Sequence, residues 1–442
     1  MGDTLATMAQ QTENSWITRL VSVKPAEIKA LLVSGLYFYL VLCAYYIIRP
    51  IRDEMVIANG VQNIQWLMLL TMGVLLLIAP LFGWLTARYK TRQFLSIITL
   101  LFVVCLLLFF FGFNVGERSA MTTRAFFVWV NVFNMFIVSL FWSFINDVFS
   151  QLQARRLFAA IAAGGTAGAL TGPLITAGLV QSIGLAYLLL ISAAVLSCTL
   201  ICIGWLSRWR NVEFDPQHSG QIHQLKNKKL GGSIWGGLTL IIRSPYLGGI
   251  CAFIVLYAIS ITFVQIRQAE LIEAAYTDPQ LRTKLFSQID FAVNSLALLL
   301  QLFITSKLIT WIGYRNTLLL IPAGITLGFA LMAAAPLLGV MIGLEVFRRA
   351  GDYAIMKPTR EMLFSVVSRE EKYKAKNFID TAVLRSGNTG SALLYAGLRS
   401  TGIAAAGVAG MSLLLGMLWC AVAFWLGNQF SRKSAEKMSS NR

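Results

Sequence analysis

The sequence predicts an all-α integral membrane protein of about twelve transmembrane helices, and three observations carry that expectation. Hydrophobic residues make up 57% of the 442 and charged residues only 13%, and the mean hydropathy is +0.68. The apolar residues gather into runs of about 20, the length that crosses roughly 30 Å of hydrocarbon. The formal charge of +17 sits in tails and alternate loops. With the N-terminus assigned to the cytoplasm, roughly 24 Lys and Arg fall inside, about 8 outside and about 5 within spans. That asymmetry is a topology signal. It places both termini in the cytoplasm and makes nucleic-acid binding the poorer explanation of the basic excess.

The first six runs cover approximately 31–57, 64–86, 94–113, 124–148, 158–180 and 185–206. The second six cover 245–266, 285–306, 317–334, 337–362, 378–398 and 403–426. Pro50, Pro80 and Pro322 are expected to interrupt three of them. Residues 1–30 form a polar cytoplasmic tail without a cleavable signal peptide. The division that follows is a bundle over 31–206, a cytoplasmic linker over 207–243, a second bundle over 244–428 and a tail over 429–442. The linker holds both histidines, His218 and His223, near Glu213 and Asp215. It reads as a solvated connection rather than a metal site, and no cofactor is implied. Cys43, Cys105, Cys198, Cys202, Cys251 and Cys420 all lie in apolar runs and read as reduced packing residues.

Polar groups inside these runs carry the chemistry. The first span ends in Arg49-Pro50-Ile51-Arg52-Asp53-Glu54. Arg49 and Arg52 share a face at i,i+3 spacing, either to meet a ligand or to snorkel to the headgroups. The fourth span offers Asn131 and Asn134 on one face and Asp147 near its end. Such amides orient a ligand or bond neighbouring helices. The seventh span ends in Arg267, with Glu270 and Glu273 following. In the eighth, Asp290 and Asn294 are spaced i,i+4, and a membrane carboxylate of this kind is a candidate for coupling.

The tenth span holds the densest charge: Glu345, Arg348, Arg349 and Asp352 form one helical stripe. An unpaired charge at that depth costs about 3 kcal/mol on insertion scales. The stripe is therefore either an internal salt-bridge ladder or a site whose arginines are freed to grip an anionic substrate, a task suited to guanidinium. Lys357, Lys376 and Asp380, with Asp147, Arg155 and Arg156 in the first half, fall nearer the cytoplasmic ends and are candidates for a gate.

An offset of roughly 215 residues aligns Ile51-Arg52 with Ile266-Arg267, Asn134 with Arg349, Phe149-Ser150 with Phe364-Ser365, and Gly172 with Gly387. Two parallel six-helix repeats are the plan of the major facilitator superfamily, with the site between the halves. The fifth span's Gly164, Gly168 and Gly172-Pro173 resemble that superfamily's antiporter pattern. Gly83-Trp-Leu-Thr-Ala-Arg88-Tyr-Lys90-Thr-Arg92 resembles its cytoplasmic loop signature, with Ala87 in place of the signature aspartate.

A narrower likeness emerges when the motifs are taken together. Ile51-Arg-Asp53, Phe141-Trp-Ser-Phe-Ile-Asn-Asp147, Ala154-Arg-Arg156-Leu-Phe158, Lys357-Pro-Thr-Arg360-Glu-Met362 and Lys374-Ala-Lys376-Asn-Phe-Ile-Asp380 occur in the order found in the nonmitochondrial ATP/ADP translocase family. The chain resembles bacterial relatives of that family. The resemblance implies an exchanger-type fold and an anionic, phosphate-bearing substrate, with Arg52 matching a substrate-contacting lysine and Lys376 a second functional cation. Arg52, Lys357 and Asp147 depart from the family's lysine, aspartate, and glutamate or glutamine.

The resulting expectation is a secondary transporter in a bacterial cytoplasmic membrane, not an enzyme. It would move an organic anion by alternating access, the two halves rocking about a site formed by spans one, four, seven, eight and ten. Its partners would be a small anionic solute and the lipid bilayer, with the chain acting as a monomer. Proton-coupled movement of a nonnucleotide metabolite or drug is the alternative within transport. A membrane-embedded transferase or a receptor is the alternative outside it.

Overall fold

The computed structural model describes residues 25–88, 91–114, 119–213, 239–241, 243–368, 375–376, 378–401 and 405–440. The tail up to residue 24, the linker over 214–238 with Asp215, His218 and His223, the loop residues Tyr89 and Lys90, and the segment 369–374 with Lys372 and Lys374 lie outside the described residues. The side chain of Arg155 does too. What is described is helix and turn, with no strand.

The helices are α1 (Pro25–Ala58), α2 (Ile64–Arg88), α3 (Thr91–Asn114), α4 (Ala120–Val148), α5 (Gln151–Glu213), α6 (Pro245–Ala275), α7 (Pro279–Phe303), α8 (Thr305–Ala334), α9 (Leu338–Gly351), α10 (Lys357–Leu363), α11 (Leu384–Ser400) and α12 (Ala405–Ser440). Nine helices among the described residues are long and apolar enough to cross a membrane. One of these, α5, is two spans. Its backbone leaves the helical region at Gly184 (φ 81°, ψ 170°). A straight helix would hold Thr176 and Ser192 about 24 Å apart. Instead the Thr176 hydroxyl donates to the Ile47 carbonyl (3.0 Å) and the Ser192 hydroxyl to the Ala44 carbonyl (2.9 Å), one turn apart on α1. The chain therefore doubles back at Gly184.

The tenth and eleventh spans are missing from the nine because each is broken. Asp352–Met356, between α9 and α10, is a π-helical turn, and Ile379–Val383 before α11 is another. Their α-helical parts are only 14 and 17 residues long. With both counted, the expected set of about twelve is present.

The first of these turns has a cause in the sequence. Pro358 has no N–H to continue the ladder, which frees carbonyls in the preceding turn. The Tyr353 carbonyl accepts from Gln301 Nε2 (3.3 Å) and the Ala354 carbonyl from Thr305 Oγ1 (2.9 Å). Neighbouring side chains thus satisfy what proline exposed, as a lipid solvent demands. By contrast, the interruptions expected at Pro50, Pro80 and Pro322 are not breaks, since α1, α2 and α8 run through them. The departure in α8 lies at Gly313 (φ 77°, ψ 161°).

The helices form two compact units: Met1–Ile51 with Ile78–Thr122 and Trp129–Asn227, and Arg52–Leu77 with Thr123–Val128 and Lys228–Arg442. In the first unit, the glycine stripe of α5 lies directly on α1. A Cβ would come within 2.2 Å of the Gly35 carbonyl oxygen at Gly164, 2.3 Å of that of Tyr39 at Gly168, and 2.8 Å of that of Cys43 at Gly172. Rings fill the rest, with Phe38 stacked on Phe141 at 4.1 Å and Trp142 edge-on to Phe38. Meanwhile α3 turns Ile97, Leu101, Val104, Leu108 and Phe111 outward. This is a helical stripe with lipid as its solvent.

In the second unit, α6 is the buried helix, and Trp419 of α12 is fully enclosed beside Phe253 and Tyr257. The 215-residue offset has a physical counterpart here. Where Gly172 meets Cys43, a Cβ on Gly387 would lie 2.9 Å from that of Ala258, and these two pairs are equivalent under the repeat.

Candidate functional site

Asp290 reaches the interior because α7 is amphipathic. Asp278 caps its start by accepting from the Gln280 N–H, Pro279 occupies the first turn, and Thr283, Phe286, Ser287, Asp290, Val293, Asn294 and Ala297 make its buried face. On α9, Met341, Leu344, Glu345, Arg348 and Arg349 form the equivalent face. The two faces meet. Arg348 grips Glu345 with two bonds, Nε to Oε2 at 2.9 Å and Nη2 to Oε1 at 2.7 Å. Arg349 reaches across to Asp290, Nη1 to Oδ1 at 2.6 Å, and lies 3.9 Å from Glu345.

Two arginines and two carboxylates thus form one buried network, with Asp290 1%, Glu345 2%, Arg348 3% and Arg349 7% exposed. Of the two alternatives open at the sequence level, the internal pairing holds in this conformation. The guanidinium groups do not stand open to water. Pairing is what makes the cluster tolerable, since removing one partner of a buried pair costs about 3–5 kcal/mol. Asp352, at the start of the π-helical turn, pairs with Lys357 Nζ at 3.3 Å and lies beside the Tyr257 hydroxyl. Half-exposed Lys357 also sits over the Tyr353 ring at 4.4 Å.

The other expected residues fall into smaller groups. Arg52 pairs with its neighbour Asp53 at 2.5 Å, and Arg49 lies over the Tyr46 ring at 5.5 Å. Asn131, Asn134 and Asp147 are part-buried on α4. Arg267 pairs with Glu270 at 2.8 Å; Glu270 also accepts from the Tyr395 hydroxyl (2.9 Å) and lies 3.9 Å from Arg399. Arg267 and Tyr395 line a cavity of about 110 Å³ whose other walls are mostly apolar, among them Phe263, Phe329 and Met341.

Lys376, Asp380 and Arg156 among the gate candidates are paired within their own units. In the second, Lys376 bonds Glu361, and Asp380 meets Arg360 at 3.2 Å, tying α10 to the start of the eleventh span. In the first, buried Glu27 at the start of α1 accepts from Arg156 Nη2 at 3.0 and 3.3 Å and from Gln153 at 3.0 Å. Glu27, Glu361 and Arg360 as ion-pair partners were not found from sequence. Their only signal is charge next to an apolar run, which does not name a partner. No group of three or more His, Cys, Asp or Glu among the described residues could hold a metal ion.

Comparisons with known proteins join this geometry to a family. The profile of the family described as "TLC ATP/ADP transporter" matches residues 6–115 and 124–431. The chain is 24% identical over 323 residues to "ADP,ATP carrier protein 1" of Chlamydia muridarum, covering 65% of this chain and 60% of that protein. It is 25% identical over 366 residues to the protein of the same name from Chlamydia trachomatis, covering 74% and 69%. A chloroplastic ADP,ATP carrier protein of Arabidopsis thaliana is 21% identical over 440 residues, covering 85% and 69%. Among solved structures, the nucleoside transporter NupG superposes with a TM-score of 0.57 at 12% identity, over 93% of this chain and 99% of that one. A bacterial homologue of the iron transporter ferroportin superposes at 0.60 and 16%, over 93% and 100%. These likenesses show the fold, that of major facilitator transporters.

Proposed function

The chain belongs to the TLC ATP/ADP transporter family, and from that premise we propose that it moves adenine nucleotides or related phosphorylated anions by alternating access. It is a membrane transporter and not an enzyme. The observation that supports an anionic substrate is the buried network of Arg348, Arg349, Glu345 and Asp290. The fork of Arg348 on Glu345 is the geometry guanidinium uses for a phosphate. In this reading Glu345 and Asp290 hold the arginines while no substrate is bound. A phosphate displaces Asp290 from Arg349, so Asp290 couples occupancy to the conformational change.

Arg49, Arg52, Asn131, Asn134, Arg267 and Asp352 complete the proposed substrate-binding set. Asp147, Arg155, Arg156, Lys357, Lys376 and Asp380 act as gating charges. The bundles are residues 31–206 and 244–428, in a bacterial cytoplasmic membrane with both termini inside. The chlamydial relatives' names and the positive-inside count support this reading.

Counterflow in proteoliposomes tests it. Uptake of labelled ATP is expected to rise when unlabelled ADP is preloaded, and Arg348→Ala and Arg349→Ala are each expected to lower it at least tenfold. Folded variants that transport at the parental rate would remove the site assignment. Uptake of no nucleotide, with another solute driven by a pH gradient, would remove the substrate.

A further inference from the structure

We propose that the cavity of about 110 Å³ in the second unit receives the heterocyclic base of the nucleotide whose phosphates meet Arg348 and Arg349. The proposal deepens the transport reading above and rests on it. The cavity lies among α6, α8, α9, α11 and α12, all helices of this unit. Helix α9 joins it to the arginine network. Met341 and Leu344 line the cavity, and with Glu345 and Arg348 they follow i, i+3, i+4, i+7 spacing on one buried face. Leu344 is therefore one turn, about 6 Å of rise, from Arg348. That separation suits a ribose placed between a base and its phosphates. Leu344 keeps this position because Gly328 of α8 leaves room for it: a Cβ on Gly328 would lie 2.3 Å from Leu344 Cδ1.

The walls have the chemistry of a ring site. Phe263, Phe329, Met332 and Met341 offer aromatic and thioether surface. An apolar cavity of about 150 Å³ already holds a benzene ring, and unbranched methionines can give way to a larger group. Tyr395, Arg267 and Ser412 supply the polar part. The Tyr395 hydroxyl gives its hydrogen to Glu270 at 2.9 Å, and the Ser412 hydroxyl gives its own to the Val408 carbonyl at 2.8 Å. Both oxygens therefore turn lone pairs to any further partner, whereas Arg267 has only N–H groups to offer. Two acceptors and a donor match an amino-bearing base such as adenine. The exocyclic amino group meets the hydroxyl oxygens, and a ring nitrogen meets the guanidinium. A base with a carbonyl in place of that amino group sets acceptor against acceptor. Phe263 holds the Tyr395 ring edge-on at 5.2 Å, and Glu270 holds Arg267 at 2.8 Å, so the polar wall is fixed before a ligand arrives.

Competition for labelled ATP on the purified protein tests this, with ATP, ITP and tripolyphosphate as competitors. ITP carries a carbonyl in place of the amino group, and tripolyphosphate has no base. The parent is expected to bind ATP at least tenfold more tightly than either. Ala333→Phe puts a ring into the cavity that Ala333 lines. It should reduce the advantage of ATP over tripolyphosphate at least tenfold, while tripolyphosphate itself stays within twofold of the parent. Ser412→Ala should reduce the advantage of ATP over ITP at least threefold. If Ala333→Phe does not fold, Val408→Leu narrows the same space and carries the same expectation. Parental ratios in both variants, or a parent that binds the three competitors alike, would overturn the base site and leave nucleotide transport standing. A parent that neither binds nor takes up ATP would instead remove the transport reading, and the base site with it.

Discussion

At the residue scale, the question is what each member of the α7–α9 network holds. Of the two carboxylates beside Arg349, Asp290 is the nearer, at 2.6 Å against 3.9 Å for Glu345. A substrate phosphate must therefore compete with Asp290. Asp290→Asn weakens that competitor without changing its shape. Its KM for a nucleotide is expected to fall about 3–10-fold, the range of a modest coupling free energy. Turnover should fall as well, because release then loses the carboxylate that reclaims Arg349. Initial-rate uptake across substrate concentrations separates the two effects, and a raised KM would argue that Asp290 contacts the substrate favourably. The charges themselves were legible in the sequence, since Arg348 and Arg349 stand out in an apolar run. Their partners were only half legible. The i,i+3 bond to Glu345 follows from helical spacing, whereas the bond to Asp290 depends on which faces of α7 and α9 meet.

At the element scale, glycine and proline decide how the helices lie. The stripe Gly164, Gly168, Gly172 was visible as small residues every four positions, and α5 does lie against α1 along it. Gly168→Ala puts a methyl 2.3 Å from the Tyr39 carbonyl oxygen, and backbone cannot yield as a side chain can. The expected loss is about 1–3 kcal/mol or more, the range for overpacking, read as a lower melting temperature in detergent. Gly178→Ala is the control, since nothing lies within 4 Å of its added carbon, and its melting temperature should be unchanged. Equal behaviour of the two would mean that α1 and α5 are not so closely packed. The prolines were the less reliable signal. Pro50 does not break α1, and hydroxyls of Thr176 and Ser192 serve the carbonyls of the turn before it. Pro358, in a stretch read only as a motif, opens a π-helical turn because Gln301 and Thr305 can take up its freed carbonyls. Whether a proline breaks a membrane helix depends on which donors are nearby, and periodicity does not report them.

At the scale of the whole molecule, duplication and topology support each other. A 215-residue offset that maps Gly172 on Gly387 also maps Cys43 on Ala258, and both glycines make the corresponding close contact. Six spans per repeat would bring the chain back to the face where it began, which is why both termini are proposed to share a side. The Lys and Arg count, roughly 24 against 8, supports the proposal that this side is the cytoplasm. Single cysteines in a background without native cysteines give the test. Asn114→Cys, at the far end of α3, should react with an impermeant maleimide added to intact cells. A cysteine at Arg210, at the end of α5, should react only after the membrane is opened. A green fluorescent protein fused at the C-terminus should fluoresce, and alkaline phosphatase fused there should stay inactive. Labelling in the reverse order would turn the molecule over. The basic loops would then face away from the cytoplasm, against the rule that positioned them.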